Sequence, residues 1–184
     1  MADTGYFDGA TEPTDVEKAW MAGFMDGEGC ITILRQRRPS RPSPAYRSFV
    51  TVTNTMCPAL EPFVRFYGGY IRNVIENRTD KRKVKWADAY TWYCPVGSVV
   101  RLLTHLRPYL LVKGGQAVAV LEFQQMKRAF ERTFWPGQGG GSAPLSAEEI
   151  AYREGLRIRV QLLNSKGQRA RLALEQTLEA EEAL

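Results

Sequence analysis

Two carboxylates, Asp26 and Glu28, lie two residues apart in the segment Met21-Ala-Gly-Phe-Met-Asp-Gly-Glu-Gly29. The apolar run before them reads as a helix, so both acids fall at its C-terminal end, where the helix macrodipole disfavours negative charge. Acids in so unfavourable a place suggest metal binding. Gly23 and Gly27, with Ala22, put a nearly side-chain-free surface on one helical face, which lets a second backbone approach closely. If two copies of the helix cross there, the two Glu28 carboxylates come together, and paired carboxylates holding a divalent metal near phosphate meet the requirement of phosphodiester cleavage. The competing reading is an ordinary glycine-rich helix end.

The elements that must position these acids follow from pattern. Thr14 with Glu17 has the form of a capping box, and the helix is expected from about Asp15 to Asp26, with Gly27 and Gly29 supplying unusual backbone angles at its end. Cys30 to Gln36 and Arg47 to Thr53 read as a long hairpin across a Pro/Arg/Ser-rich turn. A short helix from about Pro58 to Tyr67 follows, then strand-like runs Tyr70 to Glu76 and Val84 to Cys94. The spacing is helical again over Val99 to Leu106 and Lys113 to Arg132, separated by Pro108. The expected fold class is α+β, a four-stranded antiparallel sheet backed by helices. Residues 1–13 read as an N-terminal extension, 14–135 as the core domain and 136–145 as a Gly-rich linker. The remainder, 146–184, reads as C-terminal helices opened by Ser146 and Glu149. No internal repeat is present, so the core unit occurs once.

Composition narrows the partners. Between Arg35 and Lys85 twelve basic residues face three acidic ones, the excess expected of a polyanion-binding surface or, more blandly, of a solvated one. The three cysteines have no CxxC spacing, which points away from a disulfide framework or a zinc site. No stretch approaches a membrane span, and the N-terminus lacks an apolar leader. The expected location is therefore intracellular and not secreted: bacterial or phage cytoplasm, or an organelle matrix or stroma.

Met21 to Gly29 resembles the signature of the LAGLIDADG homing endonuclease family, in the variant with Phe fourth and an Asp-Gly-Glu-Gly ending. The order of elements to about Phe130 resembles that family's helix-strand-strand-helix-strand-strand-helix core. The resemblance implies a site-specific endonuclease making a double-strand break with staggered ends at a long, pseudo-palindromic DNA target, in service of intron or intein mobility. It implies Mg2+ (or Mn2+) held by Glu28 with the Gly27 carbonyl, and a homodimer packed through Ala22, Gly23, Asp26 and Gly27, with Asp26 structural. Glu28 departs from the family's more frequent Asp, but the longer acid still binds metal. Leu106 to Gln116 resembles the family segment that carries a lysine near the active site, which would make Lys113 catalytic, organising water or polarising the phosphate. Lys113 could equally be a solvent-facing lysine at a helix start. Asn54 stands where the family has a water-positioning polar residue, and is otherwise a strand-terminating Asn.

A sheet laid in the major groove reads base edges with alternate side chains. The resemblance implies the outward sets Thr32, Gln36, Arg38, Arg47 and Thr51 in the first strand pair, and Arg72, Asp88, Tyr90 and Trp92 in the second. Arg37, Arg41, Arg78, Lys81, Arg82 and Lys83 lie in turns and are expected on phosphates. Trp86, Tyr90 and Trp92 also fit plain packing. His105 sits in an apolar run and is expected to be structural. The alternative function is a cleavage-silent RNA maturase or DNA-binding protein of the same fold, which would tolerate loss of Glu28; RNA is a partner only under that alternative.

Overall fold

The computed structural model describes residues 11–37, 43–74, 88–129 and 144–165. Its elements run α1 (Asp15–Glu28), β1 (Gly29–Gln36), β2 (Ala45–Asn54), α2 (Glu61–Tyr67), β3 (Tyr70–Asn73), β4 (Tyr90–Tyr93), α3 (Val99–Leu106), α4 (Gly114–Ala129) and α5 (Ala147–Asn164). The four strands form one sheet in the order β1-β2-β4-β3. β4 is antiparallel to both neighbours, Trp92 standing opposite Val52 on one side and Ile71 on the other.

Helix α1 starts where the capping box places it. The Thr14 hydroxyl accepts from the Glu17 N–H at 3.3 Å and the Glu17 carboxylate accepts from the Thr14 N–H at 2.8 Å, so two donors of the first turn are satisfied. Its end differs from expectation: Gly27 and Glu28 remain helical, and the turn into β1 uses no left-handed residue. Gly29 is extended, and what it supplies is room, because a Cβ there would stand 2.2 Å from Met25 Sδ and 2.6 Å from the Met25 carbonyl. Among the described residues, positive φ occurs only at Gly68 and Gly69. There the chain leaves α2, and a Cβ on Gly69 would lie 2.2 Å from the Tyr93 carbonyl.

The chain makes two compact units, Met1–Ile31 with Phe49–Gly114, and Thr32–Ser48 with Gly115–Leu184. In the first unit Met21, Met25, Phe63, Tyr67, Trp92, Leu102, Leu103 and Leu106 are fully buried. Phe63 joins the layers: its ring centroid is 5.0 Å from Trp92 of the sheet and 6.2 Å from Phe24 of α1. The segment ahead of α1 is tied to α3 by Glu12, which pairs with Arg101 at 2.9 Å and reaches His105 at 3.4 Å. His105 is structural in this unit, with Nδ1 3.2 Å from the Tyr67 hydroxyl, and desolvation lowers its pKa so that the neutral ring is favoured.

In the second unit α4 contributes Ala117, Val120 and Phe123 to a core completed by Leu156 and Val160 of α5. Ser146 caps α5 by accepting from the Glu149 N–H at 3.0 Å, while the Glu149 carboxylate pairs with Arg153. Cross-links fix α5 within this unit: Tyr46 donates to Glu154 at 2.8 Å and the Gln116 amide to the Leu163 carbonyl at 3.2 Å. Helix α5, expected to open a C-terminal segment of its own, is thus packed against α4. The expected linker at 136–145 and the tail beyond Asn164 fall almost wholly outside the described residues.

Candidate functional site

The two motif acids part company at the end of α1. The Asp26 carboxylate accepts three backbone N–H bonds, from Leu111 at 2.7 Å, Val112 at 3.1 Å and Lys113 at 2.8 Å. In return the Lys113 ammonium donates to the Asp26 carbonyl. α1 has no basic residue in its last turn, so Lys113 supplies from a distant segment the cation that a helix C-terminus favours. Its field also reaches Cys30: desolvation raises the thiol pKa there and the Lys113 ammonium pulls it back. Glu28 is the last helical residue and exposed.

These facts decide what could hold a divalent cation. Asp26 is consumed by the 111–113 segment, which leaves the Glu28 carboxylate and the Gly27 carbonyl at an exposed helix end. Both are hard oxygen donors of the kind Mg2+ takes. Among the described residues no cluster of three acidic, histidine or cysteine ligands occurs. One chain therefore presents a fitting but partial donor set.

The expected close-approach face needs correction at two residues. Gly23 and Gly27 are exposed, and a Cβ added at either would meet nothing within 4 Å. At helical spacing they align with Trp20, 46% exposed, and Val16, 80% exposed. Ala22 does not share this face; it is fully buried in the chain's own core, because it lies one residue, and so about a quarter-turn, off the stripe. Asp26 likewise spends its carboxylate within the chain. Beside the same helix end, Leu111 is 93% and Val112 70% exposed.

Asn54 closes β2, and its side-chain oxygen accepts from the Met56 N–H at 2.9 Å. That local turn is what a strand-terminating Asn makes.

The outer side of the sheet follows from strand alternation. Along β1, Ile31 and Ile33 are buried inward, which turns Thr32 and Gln36 outward, and exposed Arg37 follows the strand. Along β2, Tyr46, Ser48, Val50 and Val52 are inward, so Arg47 and Thr51 are outward as expected, although Thr51 is covered by its neighbours. Arg72 on β3 is outward and exposed, standing opposite Thr91. The expectation for β4 is off by one residue. Trp92 is fully buried, stacks against Phe63 and donates its indole N–H to the Gly68 carbonyl at 2.8 Å, and Tyr90 shares its inward parity. Asp88 lies exposed before the strand begins. The outward residues of β4 are Thr91 and Tyr93, which the sequence reading missed, together with Tyr70 of β3. With aromatic residues on both faces of β4, the alternation is fixed only by the packing of Trp92 on Phe63. Arg38, Arg41, Arg78, Lys81, Arg82, Lys83 and Trp86 lie outside the described residues.

The order of elements and the antiparallel sheet match the fold of solved homing endonucleases. Among solved structures, the chain is similar to the homing endonuclease I-CvuI bound to an uncleaved I-CreI target, with TM-score 0.57 and 22% identity over 88% of this chain and 94% of that one. It is also similar to the archaeal intron-encoded homing endonuclease I-Vdi141I complexed with DNA, at TM-score 0.61 and 14% identity over the same shares. I-SmaMI bound to uncleaved DNA with calcium matches at TM-score 0.52 and 15% identity, over 86% of this chain but 49% of that one. At such identities the likeness is one of fold. No protein-family profile and no curated protein matches the sequence. Among the described residues no helix is long and apolar enough to cross a membrane.

Proposed function

We propose that this chain is a divalent-metal-dependent, site-specific DNA endonuclease of the LAGLIDADG homing type, acting as a homodimer on duplex DNA. The observation that carries the reading is the division of labour between the motif acids: Asp26 is bound by three backbone N–H groups, and Glu28 is left exposed at the helix end. The solved structures of the same fold are DNA complexes, one of them in the presence of Mg and another with calcium. The dimer is supported by the exposed stripe Val16, Trp20, Gly23 and Gly27, with Leu111 and Val112 beside its end.

Glu28, with the Gly27 carbonyl, would hold Mg2+ or Mn2+, which when bound activates water and offsets the charge that develops on the scissile phosphate. Lys113, fixed on the Asp26 carbonyl, keeps a positive charge at the same helix end, where it can face a phosphate oxygen. Two copies crossing at the glycine stripe would bring two such ends together, one for each strand.

The test is a cleavage selection on a randomised pseudo-palindromic duplex library with Mg2+, comparing wild type with Glu28→Gln. Wild type is expected to cut both strands, and Glu28→Gln to bind the selected duplex without cutting. A wild type that never cuts, or a variant that cuts as well, overturns the endonuclease reading. A sedimentation mass of one chain on DNA overturns the dimer.

A further inference from the structure

On the outer side of the first unit's sheet, three strands bring aromatic rings into one cluster. Tyr70 and Tyr93 are register partners, stacked with centroids 5.1 Å apart and ring planes 19° from parallel. Phe49 of β2 meets Tyr93 edge-on at 6.1 Å. The Arg72 guanidinium lies over Tyr70, 5.9 Å from its centroid. Beside this cluster the hydroxyls of Thr53 and Thr91 are hydrogen-bonded to each other at 2.8 Å. Within β3 and β4 this side of the unit therefore carries a single charge, Arg72.

Two features of the cluster limit what it can recognise. A surface meant for phosphates carries Lys and Arg, and this one is dominated by aromatic rings, which suits base edges. A surface meant to stack unpaired bases must offer free ring faces. Here the faces of Tyr70 and Tyr93 are turned on one another, with Arg72 over Tyr70, so what the half-exposed Tyr70 offers outward is ring edge and hydroxyl. In the major groove the one apolar base-edge group is the thymine C5-methyl, flanked by the O4 acceptor that a phenol can address.

Resting on the duplex-DNA reading above, we infer that the Tyr70–Tyr93 pair is a specificity element that selects thymine in each half-site through its C5-methyl group. The pair excludes water from the methyl without contributing to the phosphate grip.

The target sequence is selected in the course of the test. Duplexes enriched by the wild-type protein from a randomised pool, in Ca2+ so that they stay intact, are resynthesised with one thymine at a time replaced by deoxyuridine, which removes only the methyl. At one or two positions per half-site the replacement should weaken binding about fourfold, the equivalent of one buried methyl group. A Tyr70→Ser, Tyr93→Ser variant should bind the thymine and uracil duplexes equally. Tyr70→Ser alone, on the edge strand, keeps the test open if the double variant does not fold. Enriched duplexes with no uracil-sensitive thymine overturn the inference and leave duplex recognition intact. A pool in which no duplex is enriched overturns both.

Discussion

At the scale of single residues, Asp26 and Glu28 are two positions apart and do opposite things. The macrodipole argument marks both as unfavourable where they stand, and that much is legible in the sequence. Which acid is occupied is not, because its partners are 85 to 87 residues away and no local pattern reports them. Asp26→Asn removes the charge from three bonds, and the urea midpoint should fall by about 2 kcal/mol equivalent, the worth of hydrogen bonds to a charged acceptor. Glu28→Gln should leave that midpoint where it was. A second titrating group is buried away from the site. Burial pushes the Cys94 thiol up to about 12, its Sγ lying 3.4 Å from the Pro95 carbonyl. The folded state thus prefers the neutral thiol, so its contribution is intact below the ordinary thiol range and is lost as pH rises from about 9 towards 12. Unfolding midpoints measured across that interval should fall more steeply for wild type than for Cys94→Ala.

At the scale of elements, the helix starts were readable because they are local. Thr14 and Ser146 cap their helices as their spacing from Glu17 and Glu149 predicts. The strands were readable as strands, and for β2 the phase implied by the resemblance agrees with the buried Val50 and Val52. For β4 it does not: Tyr90, Thr91, Trp92 and Tyr93 are all good strand formers, and with aromatic rings on both sides of the sheet the choice of face depends on what packs there. Phe63, on α2, makes that choice. A one-residue error of phase exchanges every side chain. The consequence is measurable: Trp92→Ala should cost about 3–5 kcal/mol in chemical unfolding, as for a large side chain removed from a packed core. Tyr70→Ser should cost less than about 1 kcal/mol, within the range of cross-strand pairs.

At the scale of the whole molecule, the glycine stripe of α1 sets local stability against assembly. Neither Gly23 nor Gly27 has a neighbour within 4 Å of an added Cβ, so Ala at either site should stabilise the isolated helix by about 0.5–1 kcal/mol. In a dimer crossing at those glycines the same methyl groups intrude between backbones. Gly23→Ala, Gly27→Ala should therefore raise the unfolding midpoint of dilute protein while weakening self-association in sedimentation experiments; unchanged association would remove α1 from the interface. The open face could be anticipated from the glycine spacing, but the burial of Ala22 could not, since a helix pattern does not say which flank meets its own chain. The motif and the order of elements were legible as a fold. The pairing of the motif acids with the 111–113 segment was not.

That pairing also bears on when the site comes into being. Helix α1, its cap and its terminal carboxylate are built from contacts between near neighbours, and such contacts form early. The bonds from Asp26 to Leu111, Val112 and Lys113 close a loop of 85 to 87 residues, and ordering so long a loop comes after the local structure. Lys113 reaches the helix end only when strands and helices between them have been laid down. A chain caught part-way through folding carries the acid without the cation, so the pair that the proposed cleavage would use is complete only in the finished protein.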